Sequence, residues 1–254
     1  MVVWMETLRV STSQSDRSSD GATPNELSPN RRASADDRAA SLHGLTEHQA
    51  WTLDWQSTNL APLLRAVGRR QAVESYWVRY RCLDRIRAAI GFRGDTRVLD
   101  VGCGLATVLA TLPGTRVGLD HLAREYAALL PPPPGVVMLA AAAEALPFGE
   151  ATFDVVVCSN ALDHFNDPAT ALREVHRVLC PGGWLVLTCE VADATGGSRN
   201  AGHPQSLTAS DLECLLRGWT VVQSWRSPFV GVAAHLRGET TGRHTELGYL
   251  ARRG

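Results

Sequence analysis

Two carboxylates and a pair of glycines carry the first chemical signal. Asp100 sits in the apolar run Val98-Leu99-Asp100-Val101, and Gly102 and Gly104 follow it directly. A glycine turn bends the backbone with no side chain in the way. A ligand can then approach the main chain closely, and the turn is expected to direct amide N–H groups into that space. Asp120 ends a second apolar run, where a carboxylate can accept two hydrogen bonds from ribose hydroxyls. The same carboxylate also suits the N-cap of a helix over residues 122–130, and the two roles are compatible. The run Gly102-Cys103-Gly104-Leu105-Ala106-Thr107 lacks the third glycine of a dinucleotide fingerprint. That argues against a pyrophosphate and for a ligand without one.

The elements that must hold these groups alternate along the chain. Short apolar strands are predicted over residues 97–101, 116–119, 136–140, 153–158 and 184–189, with helices or helical turns between them. Asp167-Pro168 is a helix start with a capping carboxylate and Pro in the first turn, and Thr208 to Asp211 reads as a capping box. Such alternation implies a mostly parallel sheet covered on both faces, with right-handed crossovers. Two late strands, over residues 219–225 and 229–236, are expected to form an antiparallel pair about a short turn at 226–228. Upstream, Tyr76, Tyr80, Leu83, Ile86 and Ile90 recur at spacings of three and four, which predicts one helix over residues 71–90, with Arg79, Arg81, Arg85 and Arg87 mostly off its apolar face.

Downstream of the turn lie Ala142-Ala143-Glu144-Ala145-Leu146-Pro147-Phe148, Asn160-Ala161-Leu162-Asp163-His164-Phe165 and Pro181-Gly182-Gly183. In this order, after the glycine turn and Asp120, residues 97–190 resemble the class I S-adenosylmethionine-dependent methyltransferases of the type 11 branch. Residues 202–236 resemble them loosely. The resemblance implies a Rossmann-like α/β fold with a mostly parallel seven-stranded sheet, an antiparallel last strand and helices on both faces. It implies S-adenosyl-L-methionine as cofactor. Asp100, Gly102, Cys103 and Gly104 would hold its methionine end, Asp120 with His121 its ribose, and Ala142, Ala143 and Glu144 its adenine. Asn160 would stand beside the transferable methyl. Ala142 departs from the pattern, which usually has Asp there. The loss of one charge-assisted bond corresponds to roughly 1–3 kcal/mol.

An oxygen or nitrogen acceptor needs a base, whereas a strongly activated carbon does not. His164, six residues beyond the fourth strand, is the first candidate, because an imidazole titrates near neutrality. Its alternative role is to line the pocket or hydrogen-bond to Asp163. His203, in the loop after the fifth strand, is the second candidate. Tyr76, Trp77 and Tyr80 are expected to divide between core packing and the acceptor pocket.

Composition narrows the partners. The chain has 254 residues, is 44% hydrophobic and 20% charged, and carries a net charge of −1. Its basic residues are all arginine, and no basic patch marks a nucleic-acid partner. The expected acceptor is therefore a small molecule. No apolar run reaches the ~18 residues of a membrane span. The 6 cysteines show no zinc spacing, so no metal is expected, and they read as reduced thiols of a cytoplasmic protein. Expected boundaries are a disordered segment at 1–40, a helical lid or arm at 41–94, the cofactor domain at 95–237 and a polar tail at 238–254. Two other readings remain at this level: a degenerate methyltransferase fold that binds without turnover, and an NAD(P)-dependent dehydrogenase.

Overall fold

The computed structural model describes residues 45–192, 203–240 and 244–254. The segment 1–40 and Gly202 lie outside them. The core is a seven-stranded sheet: β1 (Arg97–Val101), β2 (Thr115–Leu119), β3 (Val136–Leu139), β4 (Phe153–Ser159), β5 (Leu179–Val191), β6 (Trp219–Pro228) and β7 (Thr245–Arg253). Their order is β3-β2-β1-β4-β5-β7-β6. β7 runs antiparallel to β5 and β6, while the pairs from β3 through β5 are parallel. The sheet begins at β1, winds outward to β3, then returns to β4 on the other side of β1. A crevice opens at that reversal, outside the carboxyl ends of β1 and β4.

Successive residues of a strand face opposite ways, so a central strand needs apolar side chains on both faces. Leu99, Val101, Val156, Cys158, Leu185 and Leu187 pack on one side, against Ala171, Leu172 and Val175 of α6 (Pro168–Val178) and Leu212 of α7 (Ala209–Leu215). Val98, Val155, Val157 and Val186 pack on the other, against Val73, Tyr76 and Trp77 of α3 (Arg69–Tyr80) and Leu83 and Ile86 of α4 (Leu83–Ile90). Each fully buried leucine contributes about 2 kcal/mol by leaving water. As expected, Asp167 caps α6, accepting from the Ala169 and Thr170 amides at 3.0 Å, and Thr208 and Asp211 form a capping box. The upstream helices include α1 (Glu47–Trp55), a π-helical turn at Gln56–Leu60 and α2 (Ala61–Val67). α5 (Ala123–Leu129) follows β2, and α8 (Val232–Leu236) follows β6.

Two expectations are corrected. The helix predicted over 71–90 is two helices, broken where Cys82 adopts φ 54°. The break lets Arg81 turn inward. Its guanidinium bonds the Tyr76 hydroxyl at 2.7 Å, Ser159 Oγ and Thr188 Oγ1, and pairs with Glu246 at 2.5 Å. Periodicity cannot foresee a buried arginine, because its partners come from β4, β5 and β7. The second correction concerns the C-terminus. Residues 229–236 are a loop and α8 rather than a strand. The last strand is β7, inside the segment expected to be a polar tail at 238–254, so the sheet runs past residue 237. Short apolar runs fit helix and strand alike, and Glu246 disguises β7 as surface. It is 2% exposed, and it tolerates that burial by pairing with Arg81.

Candidate functional site

The crevice at the reversal holds most of the sequence-predicted residues. Gly102 turns the chain after β1 at φ 69°, and a Cβ there would lie 2.4 Å from Ala161 Cβ. Only glycine fits this close passage between the two strand ends. One expectation about the turn does not hold. The Gly102 and Cys103 amides donate to the Leu119 carbonyl at 2.8 and 3.2 Å, and the Gly104 amide donates to Asp120 Oδ2 at 3.0 Å. These donors are used within the fold and do not point at a ligand. A pyrophosphate would find no amide nest here.

The charged groups at the turn are carboxylates. Asp100 is buried, accepts from Thr107 Oγ1 at 2.7 Å, and is pushed up to about 7 by burial, with Asp120 adding repulsion. Asp120 accepts from Gly104 and, through Oδ1, from the Leu122 amide at 2.9 Å; burial raises its pKa as well. It therefore anchors the glycine turn and caps the entry to α5.

Two adjoining cavities, of about 290 and 310 Å³, meet at Gly102 and His164, which line both. Asp120, His121, Ala142, Ala143 and Glu144 line the second. Glu144 Oε1 is engaged there, accepting from the Asn166 and Asp167 amides at 2.8 and 3.2 Å. Asp100, Cys103, Gly104 and Asn160 line the first, together with Trp51 and Trp55 of α1, Tyr76 and Trp77 of α3, and Phe229. Tyr80 packs instead against His235, with ring centroids 5.5 Å apart.

Several buried polar atoms around these cavities have no hydrogen-bond partner among the described residues: Thr52 Oγ1, Gln56 Oε1 and Asn160 Oδ1 at the first, and His121 Nε2 at the second. Orphaned buried polar atoms are costly. Converging on one cleft, they fit a polar ligand that spans both cavities, with hydroxyl and amine groups for the carboxylates. S-adenosylmethionine is such a ligand.

The two histidine candidates come together. His164 ends a 3-10 turn at Leu162–His164, and its ring lies 5.0 Å from that of His203 and 5.2 Å from that of His48. Burial depresses His164 to about 4, so it is neutral at ordinary pH. His203 is different. Its Nδ1 lies 2.6 Å from Asp163 Oδ2, and this hydrogen bond raises its pKa. Asp163 is 3% exposed and held below the usual carboxylate range by the same bond despite its burial. An imidazole that donates from Nδ1 to a carboxylate carries its lone pair on Nε2. In linear order His164 is the first candidate base, with a hydrogen bond to the adjacent Asp163 as its alternative role. The longer-range partner, His203, could not be seen in linear order. His48, Thr52, Gln56, Trp51 and Trp55 were also missed as individual wall residues; their only signal was a short helical segment.

Comparison with known proteins agrees with this geometry. The family model described as a methyltransferase domain matches residues 99–187. A demethylmenaquinone methyltransferase of Chlorobaculum parvum is 31% identical over 115 residues, covering 44% of this chain and 47% of that protein. The O-methyltransferase cnsE of Penicillium expansum is 31% identical over 156 residues, covering 53% of this chain and 56% of that one. The chain thus spans about half the length of the curated relatives it matches. Among solved structures, the N-methyltransferase NodS of Bradyrhizobium japonicum, in complex with S-adenosyl-L-homocysteine, superposes with TM-score 0.55 at 18% identity, covering 80% of this chain and 97% of that one. The cyclase SpnF superposes with TM-score 0.54 at 22% identity, covering 68% and 80%. A cyclase on this fold shows why activity has to be argued from the site. The fold is that of the class I methyltransferases. Residues 99–187, which carry the glycine turn and Asp120, are the part of the chain that resembles a methyltransferase domain.

Proposed function

We propose that this chain is an S-adenosylmethionine-dependent methyltransferase acting on a small molecule. The observation that carries the reading is the pair of buried carboxylates, Asp100 and Asp120, beside a glycine turn whose amides are already used. A cationic, ribose-bearing ligand suits those groups, and a pyrophosphate does not. The nicotinamide reading weakens for the same reason. Asp100 would hold the ammonium of the methionine moiety, Asp120 and His121 the ribose, and Ala142–Ala143 the adenine, with Asn160 near the reacting centre.

When bound, the cofactor supplies a sulfonium methyl open to in-line displacement. The chain's own task is alignment and proton transfer. The aromatic walls from Trp51, Trp55, Tyr76, Trp77 and Phe229 suit a planar acceptor held by stacking, and they exclude water. His203 takes the acceptor proton on Nε2 as the new bond to carbon forms. Asp163 holds the ring in that tautomer and stabilises the resulting imidazolium. His164, neutral and half-buried, is a wall of the site. The acceptor atom is thus an oxygen or a nitrogen, and a hydroxyl on a planar small molecule of natural-product biosynthesis fits best.

Titration of the purified chain with S-adenosylhomocysteine, followed by exposure of small-molecule pools to cofactor carrying a labelled methyl, tests the reading. Expected are saturable binding and transfer of label to a low-molecular-weight product. A folded chain that binds neither form of the cofactor at millimolar concentration sinks the reading. Binding without transfer to any acceptor favours the non-catalytic form of the fold.

A further inference from the structure

The absence of zinc spacing in the sequence speaks only to linear order. Asp163, His164 and His203 each offer one ligand atom, and these atoms lie within 4.8 Å of one another. Asp163 Oδ2 stands 2.6 Å from His203 Nδ1 and 3.9 Å from His164 Nε2. Metal–ligand bonds of about 2.0–2.2 Å place neighbouring ligand atoms of a tetrahedral ion about 3.4 Å apart. One contact must therefore open and the other close by fractions of an ångström. Asp163 Oδ1 is buried and has no hydrogen-bond partner among the described residues. It gives the carboxylate capacity beyond its bond to His203. Both histidines line the first cavity, so an ion has a route in and an open position facing the cavity. Two imidazoles and one carboxylate with an open position make a set suited to zinc and its neighbours.

We propose that Asp163, His164 and His203 form a binding site for a divalent transition metal of the zinc class, and that filling it switches off the base. The inference rests on the reading of His203 as base. Coordination through Nδ1 needs the lone pair that now carries the proton shared with Asp163. The ring's single proton leaves Nδ1 to solvent and Nε2 takes one up from solvent, so the imidazole stays neutral with its N–H at Nε2. An imidazole with N–H at Nε2 and metal at Nδ1 cannot accept a proton from an acceptor. Metal and proton compete for one nitrogen, and the winner sets whether the site is competent.

The test is titration of untagged full-length chain with zinc chloride in the presence of a chromophoric chelator, with S-adenosylhomocysteine binding measured in parallel. Expected is uptake of one tightly held ion per chain, weakened at least tenfold in His164→Ala and in Asp163→Asn, with the circular dichroism of both variants matching the parent. Nitrogen-15 spectra of the imidazoles are expected to show one histidine converting from the Nδ1–H to the Nε2–H form as zinc is added. Uptake unchanged in both variants, no uptake in the parent, or zinc-bound His203 still carrying Nδ1–H each overturns the proposal. If zinc binds as described and S-adenosylhomocysteine does not, the methyltransferase reading fails and the metal site stands. The reverse result removes only the metal site.

Discussion

Two carboxylates 20 positions apart do different work at the residue scale, and each makes a prediction. Asp120 spends one lone pair on Gly104 and one on Leu122, leaving the others for a ribose. Asp120→Asn keeps the shape and loses the charge and one acceptor, so S-adenosylhomocysteine should bind at least ~10-fold more weakly, about 1.4 kcal/mol. Calorimetric titration of a variant with unaltered circular dichroism reads this directly, and an unchanged affinity would remove Asp120 from the site. Asp100 makes a prediction about pH. Burial raises it from 3.8 to about 7, so between those values the folded chain holds a proton that the unfolded chain has released. The folded state then binds more protons, and this group's contribution to stability falls as pH rises through that window. A cationic ligand favours the ionised form, so cofactor affinity should rise from pH 6 to pH 8. Asp100→Asn keeps an acceptor for Thr107 and should flatten both slopes. Thermal melts across that range, with and without S-adenosylhomocysteine, decide the point, and equal slopes in parent and variant would show that another group is responsible.

At the scale of elements, the buried Arg81–Glu246 pair ties the break between α3 and α4 to β7. Removing one partner strands the other charge, which costs roughly 3–5 kcal/mol. Arg81→Met should therefore lower the urea midpoint sharply, and Arg81→Met with Glu246→Leu should recover most of the loss. Equal destabilisation by the single and double changes would mean that Tyr76, Ser159 and Thr188 matter more than Glu246. The same pair shows what linear order reveals and what it hides. β1, β2 and β4 were legible because each is an apolar run ending in a glycine turn, an aspartate or an asparagine, and β3 because Val136 to Leu139 is a short apolar run after four prolines. α6 and α7 were legible from their caps. Asp100, the two glycines, Asp120 and Asn160 reach one crevice as expected, since strand ends at a reversal must converge. What stayed hidden depends on partners distant in the chain. Arg81 looked like surface until β7 supplied Glu246, and His203 looked like a loop residue until Asp163 reached it. The direction of the Gly102–Gly104 amides is likewise fixed by Leu119 and Asp120, on a neighbouring strand.

At the scale of the whole molecule, the order β5-β7-β6 makes the C-terminus structural. β7 pairs with β5 from Trp184↔Arg252 to Val191↔Thr245, and with β6 from Trp219↔Arg253 to Pro228↔Thr245. Among the described residues, it is the one strand that joins β6 to the rest of the sheet. Tyr249, Leu250 and Ala251 are buried in it, and Leu250 belongs to the layer that also holds Tyr76 and Trp77. Tyr76 and Trp77 in turn line the first cavity, so loss of β7 would reach the site without touching a ligand group. Chain ending at residue 244 would orphan both ladders, expose the unpaired edge of β5 and leave Arg81 charged and buried without its carboxylate. A polar tail would be dispensable, and a central strand would not. Deletion of residues 245–254 should therefore give aggregated or unfolded chain by size exclusion and circular dichroism, with no S-adenosylhomocysteine binding. Deletion of Gly254 alone should leave the melting temperature within about 2 °C, because a 1 kcal/mol change moves a domain of this size by ~2–4 °C and that residue lies beyond the last paired position. A stable, cofactor-binding chain without residues 245–254 would show that the sheet closes without β7.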